Sequence, residues 1–410
     1  MAENKKDICV LAYSGGLDTS CCIKWLMENK GVDVVCVVGN VGQDEADLEY
    51  VCQKALKVGA IDAIAVDMRE EFVEEYLSVA LAANCMYENK YPMVSALSRP
   101  VIAKHLVDAC HKYGAKYVAH GCTGKGNDQV RFEVAVQSLD PELEILAPVR
   151  EWDLLTRPAE MEWAAAHGVP VPTTQGSPYS IDDNLWGRAI ECGVLEDPWN
   201  EPPADIFTMT VDPTEAPDEP EYATVGFECG KPCSLNGEKM SFHEVILAMN
   251  EIAGKNGFGR VDMIENRLVG VKSREVYEVP GALAIVRAHQ ALEELCLERD
   301  LLHAKPELEQ KWATLVYNGL WFSPLKKAID AFCASTQSCV TGEIRLKFYK
   351  GSCTVVGRKS EYSLYDFGLA TYDSGDTFDR DAAKGFITLH GLPVRTWAKH
   401  RNDTGVSGAI

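Results

Sequence analysis

Short apolar runs alternate with segments of helical periodicity along the first part of the chain. The apolar runs, rich in Val, Ile, Ala and Cys, lie at 7–13, 32–41, 61–67 and 115–121. Segments with apolar residues on one helical face lie between or after them, at 18–29, 44–58, 69–83 and 98–113. Runs that are apolar throughout are typical of strands buried on both faces of a parallel sheet. The alternation therefore predicts βαβ units and an α/β fold with a doubly wound, mostly parallel sheet.

The pattern changes near residue 168, where prolines become frequent. Six prolines fall between 197 and 221, and we interpret this stretch and the proline-rich 169–180 as extended connections. Beyond them an α+β mixture is predicted, with strands at 222–228, 344–349 and 353–358, a turn at 350–351, and helices at 241–253, 282–300, 309–334 and 393–401. We therefore expect an α/β domain at 1–170, an α+β domain at 171–365 and a C-terminal segment at 366–410.

The charge balance limits the classes of partner. The 410 residues include 40 Lys and Arg against 61 Asp and Glu, a net charge of −21. Such a surface repels a phosphate backbone, so a nucleic-acid partner is not expected, and a polyanionic ligand should be small and held in a local pocket. No run approaches the ~18 uncharged apolar residues of a membrane-spanning helix, so no membrane partner is expected either.

The cysteines indicate a reducing compartment. There are fifteen, an odd number spread over the chain, without a CxxC pair. The N-terminus has no apolar core of the kind that a secretory signal carries. We therefore expect a cytoplasmic protein whose thiols are mostly buried small side chains, and no protein-bound metal site.

The most informative segment is the loop 13–20, YSGGLDTS, between the first strand and the first helix. Adjacent Gly15 and Gly16 allow the backbone to approach a ligand closely. The amides at the start of the following helix favour an anion, and three hydroxyl side chains add donors. The segment predicts a phosphate-binding loop. The alternative is a tight turn with Asp18 or Thr19 as the helix N-cap.

A second glycine-rich loop, 120–131, also follows a predicted buried strand and precedes a helix. Its sequence, HGCTGKGNDQVR, has three glycines within six residues. Lys125, Asp128 and Arg131 bring both signs of charge into one small region, which suits a zwitterionic substrate beside a phosphate. The alternative is a surface loop with a solvated ion pair. Because strands of a parallel sheet end at a common edge, both loops should lie at the same edge.

Four segments carry a resemblance to a known family. They are AYSGGLDTS (12–20), YVAHGCTGKGNDQVRFE (117–133), SPYSIDDNLWGR (177–188) and IENRLVGVKSREVYE (264–278). The first resembles the PP-loop of the ATP pyrophosphatases, and the four in this order resemble the argininosuccinate synthases. The resemblance extends over nearly the whole chain and weakens after about residue 360.

The resemblance implies a reaction. ATP activates the ureido oxygen of citrulline as an adenylate and pyrophosphate leaves. The amine of aspartate then attacks the ureido carbon, AMP leaves, and argininosuccinate forms, as a step of arginine biosynthesis. ATP and Mg²⁺ are the implied substrate and cofactor, and the implied assembly is a homotetramer. Such chemistry needs positioning and neutralisation of phosphoryl charge rather than a covalent enzyme intermediate.

The resemblance also implies roles for individual positions. The ATP contacts fall at Ala12, Tyr13, Ser14, Gly15, Gly16, Leu17, Asp18, Thr19, Ser20, Gly39 and Gly121. The aspartate contacts fall at Thr123, Asn127 and Asp128. The citrulline contacts fall at Tyr91, Ser95, Ala96, Asn127, Arg131, Ser180, Ala189, Glu265 and Tyr277. The candidate catalytic residues are Asp18, Lys125 and Asp128. Lys125 is a candidate because its charge could hold a phosphate, not because the resemblance assigns it a role.

Two positions depart from the family pattern. The family often has a hydroxyl residue where this chain has Ala96, and a serine where it has Ala189. Each change removes a side-chain hydrogen bond to citrulline, worth ~1 kcal/mol where nothing replaces it.

Glu265 and Tyr277 have a second interpretation as a surface pair. The aspartates at 182–183 are predicted to cap a helix rather than to bind Mg²⁺.

Two other functions share parts of this pattern. A tRNA-modifying sulfurtransferase also uses an SGGxD loop, but it needs a basic RNA-binding face and a reactive cysteine pair. The net charge of −21 and the lack of a CxxC pair argue against it. A nucleotide-binding regulator without turnover is the third hypothesis, and pyrophosphate release that depends on citrulline and aspartate would exclude it.

Overall fold

The computed structural model describes residues 6–43, 47–154, 156–170 and 178–404. The predicted start of the second helix at 44–46 and part of the proline-rich connection, 171–177, lie outside these residues. The chain forms two compact units, the first ending at Tyr362 and the second beginning at Ser363. Among the helices of the described residues, none combines the length and apolar character needed to cross a bilayer.

The first unit begins with a parallel five-stranded sheet. Its strands are β1 (Ile8–Ala12), β2 (Asp33–Asn40), β3 (Asp62–Asp67), β4 (Tyr117–Ala119) and β5 (Glu144–Leu146). Their spatial order is β3-β2-β1-β4-β5. The chain therefore reverses its direction of winding between β1 and β4, and such a switch point is where open α/β sheets bind ligands. The predicted parallel α/β fold is confirmed.

Helices cover both faces of this sheet. They are α1 (Leu17–Asn29), α2 (Leu48–Val58), α3 (Arg69–Glu71), a π-helical segment (Phe72–Leu77), α4 (Ser78–Ala82), α5 (Val94–Tyr113), α6 (Asp128–Leu139), α7 (Pro148–Glu151) and α8 (Arg157–Ala166). Consecutive residues of β1 enter different cores, because side chains alternate across a strand. Val10 packs in one apolar cluster, and Cys9 and Leu11 pack in the other.

The rest of the first unit is antiparallel, as the α+β prediction requires. Its strands are β6 (Ser180–Asn184), β7 (Gly187–Glu191), β8 (Glu221–Glu228), β9 (Lys231–Leu235), β10 (Glu238–Lys239), β11 (Arg260–Asn266), β12 (Lys272–Glu278), β13 (Gly342–Tyr349) and β14 (Ser352–Lys359). They form a five-stranded sheet, β10-β9-β8-β13-β14, and a four-stranded sheet, β11-β12-β7-β6. The helices are α9 (Phe242–Lys255), α10 (Pro280–Cys296), α11 (Arg299–Tyr317) and α12 (Pro324–Thr336).

The single helix predicted over 309–334 is wrong. The chain leaves α11 at Tyr317, and Gly319 follows with a φ of +77° that favours glycine. Ser323 then caps α12, its hydroxyl accepting a hydrogen bond from the Lys326 amide at 3.3 Å. Pro324 occupies the first turn, where its missing N–H costs nothing. Two helices therefore replace the one that the apolar periodicity predicts.

Two unpredicted strands lie between the extended connections predicted at 169–180 and 197–221. β6 and β7 pair in antiparallel fashion, with Ser180 opposite Glu191 and Asn184 opposite Gly187. The aspartates at 182–183 lie within β6, so their predicted role as a helix cap is wrong. β11 and β12, also unpredicted, form a hairpin across the loop 267–271.

The second unit, from Ser363, is helical. It contains α13 (Phe367–Ala370), α14 (Arg380–His390) and α15 (Leu392–Thr404). α15 confirms the helix predicted at 393–401, whereas α14 was not predicted. Several apolar side chains of α14 and α15 are exposed, among them Phe386, Ile387, Leu389, Val394 and Trp397. The domain boundaries predicted at 170 and 365 stay predictions.

Candidate active site

The two glycine-rich loops meet at the carboxyl edge of the parallel sheet. The first follows β1 and the second follows β4, and these strands are hydrogen-bonded neighbours. The loops approach so closely that a Cβ on Gly121 would lie 2.9 Å from Thr19 Cγ2. Glycine at position 121 is therefore a packing requirement between the two loops. The sequence-based expectation that both loops share one edge is confirmed.

The first loop has the backbone of an anion cradle. Gly15 has a φ of +79°, and a Cβ there would also lie 3.0 Å from Val51 Cγ1, so the position favours glycine. The hydroxyls of Ser14 and Thr19 lie 3.1 Å apart above the start of α1. The Gly16 amide points to the Ser14 hydroxyl at 3.4 Å. Two hydroxyls and the Gly16 amide thus lie together at the start of α1, an arrangement that suits an anion.

Two residues of the loop, Leu17 and Ser20, have side chains that are buried in the protein. Leu17 is buried in the core beneath the sheet. Ser20 is also buried, and its hydroxyl donates to the Gly16 carbonyl at 2.7 Å and lies 2.9 Å from the Tyr13 hydroxyl. Any contact of Leu17 or Ser20 with ATP would therefore come from the backbone amide.

A first cavity of about 450 Å³ lies beside this loop. Residues of the sheet edge and of α5 and α6 line it, and several are apolar, which suits a purine ring. The predicted ATP residues that line the first cavity are Ala12, Tyr13, Ser14, Thr19, Gly39 and Gly121.

A second cavity of about 440 Å³ adjoins the first. It is more polar, and it brings together residues from the parallel sheet and from the four-stranded sheet. The predicted site residues that line it are Ser14, Asp18, Tyr91, Ser95, Gly121, Thr123, Asn127, Asp128, Arg131, Ser180, Ala189, Glu265 and Tyr277. Ser14 and Gly121 line both cavities, so the two spaces meet beside the glycine-rich loops.

Strand alternation explains how one face of the four-stranded sheet supplies so many polar groups. Directly opposite residues in antiparallel strands share a face. Tyr277 of β12 lies opposite Ala189 of β7, which lies opposite Asp182 of β6. Glu265 of β11 lies opposite Ser273 of β12 by the same rule. This face lines the second cavity, while the opposite face contributes Ile190 and Val276 to a small apolar cluster.

Arg99 of α5 lines both cavities. Its guanidinium donates to Asp128 Oδ2 from Nε at 2.9 Å and from Nη2 at 2.7 Å, and Nη2 also reaches Asp182 Oδ2 at 2.6 Å. Asp182 also accepts a hydrogen bond from the Ser95 hydroxyl. Burial raises the pKa of Asp128, but Arg99 and Arg131 more than offset it and lower that pKa to about 2. Asp128 is therefore ionised at neutral pH.

Arg131 and Asn127 are held by the end of α11. Arg131 donates from Nη1 to Asp128 Oδ1 at 2.7 Å and from Nε to the Tyr317 carbonyl at 3.1 Å. Asn127 donates to the Tyr317 hydroxyl at 2.8 Å and accepts from the Leu268 amide at 2.9 Å. Both side chains are buried and pre-oriented before any ligand binds.

Glu265 is not a surface residue. It is 3% exposed, and it accepts hydrogen bonds from the hydroxyls of Tyr277 at 2.7 Å and Tyr317 at 2.6 Å. Burial raises the pKa of Glu265, and these two hydroxyls oppose the shift. Tyr277 also stacks on Tyr91 with ring centroids 4.0 Å apart. The surface-pair interpretation of Glu265 and Tyr277 is therefore wrong.

Asp18 is held by α8. Arg157 donates to Asp18 Oδ1 at 2.8 Å and to Glu160 Oε2 at 3.3 Å. Glu160 is buried, and its other oxygen has no hydrogen-bond partner among the described residues. Burial, and then the neighbouring Asp18, raise the pKa of Glu160 to about 8.

Some predicted residues lie away from both cavities. The lining of the two cavities does not include Gly15, Gly16, Leu17, Ser20, Ala96 or Lys125. The Lys125 side chain is exposed, and its backbone carbonyl lies 3.5 Å from the Arg267 guanidinium. Conversely, five residues that the sequence does not predict as site residues belong to the site or support it. They are Arg99, Asp182, Arg267, Glu275 and Tyr317. Their importance depends on contacts between distant segments, which residue spacing along the chain does not encode.

Family comparisons agree with this architecture. The family model "Arginosuccinate synthase N-terminal HUP domain" matches residues 8–170. The family model "Arginosuccinate synthase C-terminal domain" matches residues 179–397. The chain belongs to the argininosuccinate synthase family.

Curated members of the argininosuccinate synthase family are similar to this chain over almost their full length. The argininosuccinate synthase of Streptococcus gordonii is 56% identical over 96% of this chain and 98% of its own. That of Halalkalibacterium halodurans is 56% identical over 96% of each chain. Among solved structures, an NMN synthetase from Francisella tularensis is 13% identical over 41% of this chain and 63% of its own, with a TM-score of 0.25, which is too low to bear on function.

Proposed function

We propose that this chain is an ATP-dependent ligase that joins citrulline to aspartate and releases AMP and pyrophosphate, a step of arginine biosynthesis. One observation carries the proposal. A cavity beside a phosphate-binding loop and a polar cavity with buried carboxylate and guanidinium groups meet at Gly121 and Ser14. A nucleotide in the first cavity and amino acids in the second would therefore react where the two spaces meet.

In the first step, the ureido oxygen of citrulline attacks the α-phosphorus of ATP, and the bond to pyrophosphate breaks. The amides at the start of α1 and the hydroxyls of Ser14 and Thr19 would neutralise phosphoryl charge. Arg131, which is already anchored, would bind the citrulline carboxylate with its remaining donors. Glu265 and Tyr277, which line the same cavity, would bind other polar groups of the same substrate.

In the second step, the amine of aspartate attacks the ureido carbon, and the bond to AMP breaks. Thr123, Asn127 and Asp128 are the proposed aspartate contacts, and all three line the second cavity. Asn127 and Asp128 are fixed by Tyr317, Arg99 and Arg131, so their geometry does not depend on the ligand. Positioning of this kind supplies much of the rate when no covalent enzyme intermediate forms.

Mg²⁺ would bind at this loop together with the phosphates of ATP, not at a preformed metal site. Among the described residues, no group of three His, Cys, Asp or Glu side chains forms a ready-made metal site. Mg²⁺ commonly takes one or two carboxylates together with the nucleotide's own phosphate oxygens. Asp18, at the start of α1, is the carboxylate that would join such a sphere. The ion would neutralise charge on the departing pyrophosphate.

The direct test is a pyrophosphate assay with ATP, citrulline and aspartate, in which each substrate is omitted in turn. We expect turnover only with all three, together with AMP and argininosuccinate in equal amounts. Citrulline labelled with ¹⁸O at the ureido oxygen should transfer the label to AMP, since that oxygen bonds to phosphorus. Pyrophosphate release without citrulline, or unlabelled AMP, would contradict the proposal.

A further inference from the structure

Glu275 is a buried carboxylate that lines the second cavity, and the family resemblance gives it no role. It lies in β12 on the same face as Ser273 and Tyr277, because side chains two residues apart share a face. It is 5% exposed and lines the cavity beside Glu265 and Ala189. The sequence places a charged side chain where a strand of a half-buried sheet would ordinarily have an apolar one, so its burial needs a reason.

Protein groups satisfy one oxygen of this carboxylate. Arg267 Nη2 donates to Glu275 Oε1 at 2.5 Å, and the Ser273 hydroxyl donates to the same oxygen at 2.9 Å. Arg267 also pairs with Glu191 of the neighbouring strand β7. The second oxygen of Glu275 is used by neither bond. The guanidinium and the hydroxyl thus fix the carboxylate in one orientation at the cavity wall.

This end of the second cavity has an excess of negative charge. Glu191, Glu265 and Glu275 line it, and Arg267 is the cation among them. Arg131, the next cation, is bound to Asp128 at 2.7 Å. Burial, and then repulsion from Glu191, raise the pKa of Glu275 to about 8, so Glu275 is mostly protonated at neutral pH until a cationic group enters. A cationic group entering here would relieve that repulsion.

The chemistry distinguishes the two ammonium groups that enter the site. The amine of aspartate is the nucleophile and must lose its proton, and a cluster of carboxylates would oppose this by stabilising the ammonium. The α-ammonium of citrulline takes no part in bond formation and can stay charged. Moreover, the proposed aspartate contacts lie on the second glycine-rich loop, whereas Glu275 lies on β12 with Tyr277, a proposed citrulline contact.

We propose that Glu275, oriented by Arg267 and Ser273, binds the α-ammonium group of citrulline and selects α-amino acids over ureido acids that lack this group. The inference rests on the proposed function. It also accounts for Ala189, which lies opposite Tyr277 and lacks the hydroxyl that the family often has there. A buried carboxylate two residues along the neighbouring strand replaces that contact with a stronger, charge-assisted one.

The test compares citrulline with 5-ureidopentanoate, which is citrulline without its amino group. Glu275→Gln keeps the shape of the side chain and removes its charge. We expect it to raise the citrulline KM by about tenfold or more and to leave the KM values of ATP and aspartate within about twofold. The inhibition constant of 5-ureidopentanoate should not change between wild type and E275Q, since the missing group is the one that Glu275 binds.

The controls separate this inference from the proposed function. Glu251→Gln, on the exposed side of α9, should leave every constant unchanged. If wild type releases no pyrophosphate with the three substrates, the proposed function fails. If wild type is active and E275Q leaves the citrulline KM unchanged, or weakens 5-ureidopentanoate equally, only the inference fails.

A second variant covers the case in which E275Q does not fold. Glu275→Asp keeps the charge and shortens the side chain by one methylene. It should raise the citrulline KM by a smaller factor and leave the inhibition constant of 5-ureidopentanoate unchanged. An E275D variant that discriminates between the two ligands as wild type does would overturn the assignment.

Discussion

Some single residues of this site both hold the protein together and line a cavity. Arg131 is the clearest case. It donates to Asp128 at 2.7 Å and to the Tyr317 carbonyl at 3.1 Å, and it still lines the second cavity. A planar guanidinium can do this because it has five donors in a fixed fork, whereas an ammonium cannot span the same partners.

Arg131→Lys is therefore expected to raise the KM of citrulline by about tenfold or more, the effect of losing one charge-assisted hydrogen bond. The ATP KM should change little, because Arg131 does not line the first cavity. Steady-state kinetics with each substrate varied in turn would measure both values. An unchanged citrulline KM would show that Arg131 does not bind this substrate.

Glu160 leads to a prediction about stability and pH. Its pKa is raised from 4.5 to about 8 by burial and by Asp18, so the folded state holds the proton more tightly than the unfolded state. This stabilisation is complete below about pH 4.5 and is lost as the pH rises through about 8. Glu160→Gln stays neutral, so its melting temperature relative to wild type should rise between pH 5 and pH 9.

Calorimetry of the two proteins at several pH values would test this. Glu162→Gln, an exposed position of the same helix, serves as the control and should follow wild type throughout. A difference between E160Q and wild type that stays constant with pH would mean that Glu160 does not titrate in this range.

At the scale of the element, the approach of the two glycine-rich loops fixes the junction of the cavities. Gly121→Ala would place a methyl group 2.9 Å from Thr19 Cγ2, so the second loop or the start of α1 must move. We expect the ATP KM to rise by about tenfold, an effect of ~1.4 kcal/mol. Adding Thr19→Ser removes the opposing methyl but keeps the hydroxyl, and it should restore most of the affinity.

Two comparisons make this prediction specific. Gly385→Ala, where a Cβ would meet nothing within 4 Å, should leave the kinetics unchanged. Thr19→Ser alone should bind ATP normally. If it does and the double variant still fails to recover, the effect of Gly121→Ala does not come from contact with the Thr19 methyl group.

The elements also show what the sequence could predict. The parallel strands were predictable because apolar runs such as 32–41 are buried on both faces. The strands β6, β7, β11 and β12 were not, because their polar residues face a cavity instead of solvent. Runs such as Ser180–Asn184 and Lys272–Glu278 therefore look like connections.

Some residues of the candidate site could likewise be predicted from the sequence, and others could not. The first loop could be predicted because its glycines, hydroxyls and helix start are contiguous, as in 13–20. Arg99 could not, because its partners Asp128 and Asp182 come from segments far apart in sequence. Glu160 and Glu275 could not, because nothing in the sequence says that these two carboxylates are buried.

At the scale of the whole molecule, the assembly stays a prediction of the family resemblance. We expect a homotetramer in solution, and the second unit, 363–410, is the segment expected to support it. Its helix α14 exposes Phe386, Ile387 and Leu389 to more than half of their full area. Apolar side chains grouped in this way are typical of a surface that contacts another chain.

Sedimentation velocity at micromolar concentration should show four copies per particle. Ile387→Asp places a charge among the apolar side chains and should shift the particle to a smaller species, whereas Thr388→Asp, at the next position on α14, should have a weaker effect. A monomeric wild-type protein would contradict the prediction, and an unchanged I387D tetramer would exclude this part of α14 from the contact.

The position of Arg99 has a consequence for the fate of the intermediate. Arg99 and its partners Asp128 and Asp182 line both cavities, as Ser14 and Gly121 do. Under the proposed function, an adenylate formed there would have its nucleotide half in the first cavity and its amino-acid half in the second. Because the two halves are covalently joined, contacts in both cavities would hold the activated carbon until the second amino acid reaches it.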